Sequence, residues 1–118
     1  MTIEECYHRM HADYEDVLRR MGKVERVERF LLKLPQDNSF AALCDAMAQR
    51  NAKDAFRAAH SLKGICANLG LSGLYRSSSV LSDALRGEIW EESCVPLFEQ
   101  VKAEYENTLV CIRAFGGN

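Results

Sequence analysis

The sequence predicts an all-α domain, an antiparallel up-down four-helix bundle with additional helix at its N-terminus, and three observations lead there. Apolar residues recur at steps of three and four along most of the chain, which is the helical period. No segment shows the sustained apolar/polar alternation of a strand. Only two prolines and seven glycines interrupt 118 residues, and the short connections this leaves favour antiparallel neighbours.

Taken in order, Tyr7, Met10, Tyr14, Val17 and Met21 form a first stripe ending before Gly22, with Asp13 positioned to cap a break inside it. Val24, Val27, Leu31 and Leu34 form a second, which Pro35 is expected to stop by barring its predecessor from helical geometry. The run Gln36-Asp37-Asn38-Ser39 is a turn and N-cap cluster, and Phe40, Leu43, Cys44 and Met47 mark the helix after it. Asn51 caps the next, where Ala52, Ala55, Ala59, Leu62, Cys66 and Leu69 step by three and four until Gly70 occupies the C′ position. Leu74, Ser78, Leu81 and Leu85 give a fifth helix running to Gly87, folded back after a very short turn. Pro96 suits the first turn of a last helix carrying Leu97, Val101, Tyr105, Thr108, Ile112 and Phe115, and the tail Gly116-Gly117-Asn118 is expected to fray. Length allows one core, so residues 1–118 read as a single domain, with a helical extension over about 1–35 and the bundle over about 38–116.

Composition narrows the function classes. An apolar fraction of 47% and a charged fraction of 27% belong to a soluble globular chain. A formal net charge of −2 gives no broad reason to expect nucleic-acid or anionic-membrane binding. Lys33, Asp45 and Lys63 break the most hydrophobic windows below the roughly 20 residues that span a bilayer. Glu4 and Glu5 stand where a secretory signal would carry positive charge, so a cytoplasmic location is expected. The five cysteines are odd in number and widely spaced, without a Cys-x-x-Cys pair, and read as buried reduced thiols.

Chemistry concentrates on one helix. On a wheel of about 100° per residue, His60 lies roughly 130° from the stripe of Ala55, Ala59 and Cys66, so its imidazole is expected in solvent. Phe56, Gly64 and Ala67 share its face, flanked by Arg57 and Lys63. Lys63, one turn along, can neutralise the oxygens of a phosphoryl group moving onto the ring. A mid-helix glycine costs about 1 kcal/mol against alanine, so Gly64 beside an exposed histidine invites a steric reason, close docking of a partner. Phe56 offers that partner an apolar contact.

The segment His60-Ser61-Leu62-Lys63-Gly64-Ile65-Cys66-Ala67-Asn68-Leu69-Gly70 closely resembles the signature of the histidine-containing phosphotransfer (HPt) family: histidine, then leucine, lysine and glycine, then Leu-Gly. A looser resemblance extends through Ala55–Ala59 upstream and Ser77–Leu81 downstream. It implies a four-helix bundle phosphorylated on His60, with a response-regulator receiver domain docked over the histidine and supplying both the catalytic aspartate and the magnesium. A module of that kind is not an enzyme with its own ATP site, and the chain has no glycine-rich phosphate loop and needs no cofactor of its own. It would accept the phosphoryl group from one receiver, or a hybrid histidine kinase's receiver, and pass it to another. Several members orient the ring with a glutamine about six turns on, from the next helix; the matching position is Ser82, and Ser82, Ser79 or Ser78 could substitute through a hydroxyl or a bound water, with Ser82 the expected one of the three.

Each of these residues also has a plainer reading. His60 could be a surface histidine without a role, Lys63 a solvated helix charge, Gly64 an incidental weak spot, Phe56 an edge-of-core aromatic, and the Ser77-Ser78-Ser79 triplet a close-packing surface. His8 and His11, one turn apart near Glu4 and Glu15, form a weak metal motif that solvated side chains explain better. Two rivals follow: a helical interaction module that binds receivers or kinases without transfer, and a metal-dependent helical enzyme. A monomer is expected, because one bundle can consume every apolar stripe.

Overall fold

The computed structural model describes residues 1–116. Its helices are α1 (Ile3–Arg9), α2 (Tyr14–Met21), α3 (Val24–Leu32), α4 (Ser39–Ala48), α5 (Ala52–Leu69), α6 (Ser72–Ala84) and α7 (Cys94–Gly116), with a 3-10 turn at Leu34–Gln36. No strand occurs among the described residues.

Cross-helix pairs fix the antiparallel order of α4 to α7. Arg86, just beyond α6, stands over Phe56 early in α5, whereas Tyr75 early in α6 lies beneath Lys63 late in α5. Glu104 of α7 faces Gly73 at the start of α6. Phe40 at the start of α4 stacks on Tyr105 of α7 at a centroid distance of 4.0 Å, and Met47 further on shares a groove with Val95. Helices joined by residues 49–51 and 70–71 have no length in which to do anything but reverse.

The core stripe of α5, namely Ala55, Ala59, Leu62 and Cys66, is buried in one core cluster with Leu43, Leu74, Leu81 and Val101. Each leucine so buried contributes about 1.5–3 kcal/mol by removal from water. The α5–α6 interface is the most extensive among the described helices, and both helices carry small buried residues, Ala55 and Ala59 on α5 and Ser78 and Ser82 on α6. The serine triplet is therefore split: Ser78 is interior, while the Ser77 hydroxyl bonds back to the Gly73 and Leu74 carbonyls.

The N-terminal helices finish the last turn of α5. A helix end leaves its final carbonyls without partners, yet each is accounted for here. Cys66 O accepts from Leu71 N–H at 3.0 Å with Gly70 at φ +68°, a Schellman closure. Ala67 O and Asn68 O accept from the two terminal nitrogens of Arg20, at 3.0 and 3.2 Å. Leu69 O accepts from the Tyr7 hydroxyl at 2.8 Å. Gly70 O in turn accepts Asp13 N–H at 2.8 Å.

The break that Asp13 is positioned to cap is present, and three boundaries depart from the sequence reading. The first stripe is two helices, because His11 takes a left-handed φ of +55° and the Asp13 carboxylate caps Asp16 N–H at 3.0 Å. Pro35 does not stop α3, which has closed at Leu32, and instead sits inside the 3-10 turn. Helix α6 ends at Ala84 rather than Gly87, since Arg86 N–H and Glu88 N–H bond three residues back to Asp83 and Leu85. Gly116 is helical, not frayed, and residues 117–118 of the tail lie outside the described residues. Of the cysteines, Cys44 is half-buried and the other four buried, all as free thiols; burial pushes the thiol of Cys6 up to about 11 and that of Cys66 up to about 12.

Candidate functional site

Helix α5 is the scaffold of the site. Asn51 caps its start, accepting Asp54 N–H at 3.1 Å, and the network around Gly70 fixes its end, so the middle turns are held from both sides. His60 lies there with its side chain exposed, directly after the buried Ala59. Gly64 and Ala67, one and two turns on, are exposed as well. A Cβ built at Gly64 would meet no atom within 4 Å. Nothing inside the protein requires glycine at that position, and the clearance it leaves faces outward.

Positive charge flanks the imidazole on both sides. Lys63 is half-buried, its Nζ 6.0 Å from the centroid of Tyr75, which holds the ammonium on the α6 side. Arg57 is exposed on the α4 side, lining a groove with Asn38, Asp45, Asp54 and Ser61. Phe56 packs against the core at half burial, and its ring lies 5.9 Å from that of His60 with the planes inclined by 26°, an offset stack.

Ser82 is the correction. It is fully buried, so it cannot touch a docking partner, and its hydroxyl bonds to no protein group among the described residues, so no direct bond from Ser82 holds the imidazole. Placed on the interior stripe of α6 beside Ser78, it allows α5 and α6 to approach closely. Sequence reasoning assigned it from position along the chain, whereas the helical face decides its role.

Three residues of the site had no part in the sequence reading. Tyr75 lies under Lys63. The guanidinium of Arg86 stands 5.7 Å from the centroid of Phe56. Asp83 accepts from Arg86 Nη2 at 2.8 Å; that hydrogen bond, with the charges of Arg86 and Lys63, holds its carboxyl below the usual carboxylate range. The available signal was the Asp83–Arg86 spacing of three, which marks a helix ion pair but not its neighbour.

Among the described residues no cluster of three or more His, Cys, Asp or Glu side chains could hold a metal. His8 and His11 are both exposed, and His11 Nδ1 is 3.9 Å from a Glu104 oxygen. No described helix is long and apolar enough to cross a membrane.

No curated protein and no solved structure matches the chain. The family profile described as "Hpt domain" matches residues 25–109, which span α3 through most of α7 and include the whole of the His60 site. The exposed histidine on a four-helix scaffold and this match agree, and the chain belongs to the Hpt domain family of phosphorelay histidine-phosphotransfer modules.

Proposed function

We propose that the protein is a phosphorelay intermediate that takes a phosphoryl group on His60 from the aspartyl phosphate of one receiver domain and passes it to the aspartate of another. The observation that carries this reading is an imidazole exposed at mid-helix, one turn from Lys63 and from the open space at Gly64. One ring nitrogen offers its lone pair to phosphorus while the other keeps its proton. The phosphorus–oxygen bond breaks and the receiver's carboxylate leaves with the bonding electrons; transfer onward is the same step reversed on a second receiver. The receiver brings the aspartate and magnesium. This chain contributes the nucleophile, positive charge from Lys63 and Arg57 against the moving phosphoryl oxygens, and at Gly64 and Ala67 a surface low enough for a foreign active site to close over the ring.

The test is incubation with a phosphorylated receiver. Acid-labile, alkali-stable label on the wild-type chain, absent from His60→Gln, supports transfer. Tight binding of the receiver without label supports an interaction module instead.

A further inference from the structure

We infer that Arg86 is a positioning residue for the His60 imidazole, acting through Phe56. The inference rests on His60 being the phosphoryl acceptor and concerns how its ring is held. A nucleophilic imidazole needs a fixed orientation, because a lone pair misdirected by a rotating ring forfeits much of the advantage of a docked donor. No direct bond from the buried Ser82 hydroxyl supplies it. What the imidazole does have is the Phe56 ring, stacked at 5.9 Å. Phe56 is only half-buried, so core packing alone leaves its outer side free to move.

Arg86 closes that side. Its guanidinium stands over the Phe56 ring at 5.7 Å and is itself tied by the 2.8 Å bond to Asp83. Both residues lie where α6 ends, in a turn whose backbone is set by the Arg86 N–H bond to the Asp83 carbonyl. A chain of contacts thus runs from Asp83 through Arg86 and Phe56 to His60. The last turn of α6 orients the ring by stacking and cation–π attraction. Arg86 is exposed, so its removal should not disturb the core.

The experiment compares Arg86→Ala, Arg86→Lys, Phe56→Leu and the double variant Arg86→Ala/Phe56→Leu. The first readout is the NMR shift of the His60 ring protons, which senses the Phe56 ring current and requires no phosphoryl transfer. The second is the rate of transfer from a saturating phosphorylated receiver. Arg86→Ala should move the His60 resonances toward their Phe56→Leu positions and slow transfer about two- to fivefold, the range an exposed cation–π contact commands. Arg86→Lys should recover most of both, and Arg86→Ala should add nothing in the Phe56→Leu background. Unmoved resonances in Arg86→Ala, or two rate effects that multiply, overturn the inference. Absence of transfer in the wild type would count against the phosphorelay reading while the shifts still decide this one.

Discussion

The Tyr7 hydroxyl donates to the Leu69 carbonyl at 2.8 Å, joining the first helix to the final turn of the helix that bears His60. Tyr7 is fully buried, so neither group has water to fall back on. The N-terminal segment is thereby part of the site's foundation, although it lies mostly outside the residues matched by the family profile.

Tyr7→Phe should therefore destabilise the fold by about 1–3 kcal/mol, the cost of a buried acceptor left without its donor. Urea unfolding should show a lowered midpoint with an unchanged slope. Transfer per folded molecule should stay at the wild-type rate.

Two glycines of α5 and its cap should respond oppositely to one substitution. Gly64→Ala should raise stability by about 1 kcal/mol, since the new methyl meets nothing within 4 Å and the helix gains propensity. Gly70→Ala should lower it by at least about 1 kcal/mol, the cost of a left-handed alanine. The φ there is +68°, and the Cβ would lie 3.0 Å from the Asp13 carbonyl and 3.1 Å from Val17 Cβ. Thermal melts of the pair check both signs.

Transfer kinetics should separate Gly64 from Lys63. Gly64→Gln should raise the receiver concentration needed for half-maximal rate by about tenfold, because it fills the clearance while the helix is retained. Lys63→Ala should lower the maximal rate by about tenfold through lost electrostatic support, with circular dichroism unchanged. Normal transfer by Gly64→Gln would remove the clearance from the account.

Ser82→Ala should leave transfer unchanged and stability equal to the wild type or higher by about 1 kcal/mol, because the hydroxyl it deletes is buried and unpaired. A slowed transfer in this variant would return Ser82 to the site.

What could be read from the sequence is what periodicity and caps encode locally. The outward face of His60, the Asn51 cap, the Gly70 terminus and the break at Asp13 are consequences of neighbours a few residues apart. Gly64 was legible for the same reason: a glycine inside an otherwise good helix is a local anomaly. The rest depended on which residues the fold brings together. Arg86 reaches Phe56 only because α6 returns antiparallel along α5, and Arg20 reaches the end of α5 only because the fold brings α2 to it. Ser82 illustrates the opposite failure, a position matched by counting along the chain and turned inward by the helix that carries it.

The central claim is that one imidazole carries the phosphoryl group, and the chain has three histidines with which to test it. Peptide mapping under alkaline conditions, after transfer from a phosphorylated receiver, reads the modified residue directly. Phosphate on the peptide containing His60, at one group per chain, is the expected result; phosphate on His8 or His11, with His60 unmodified, would contradict the account.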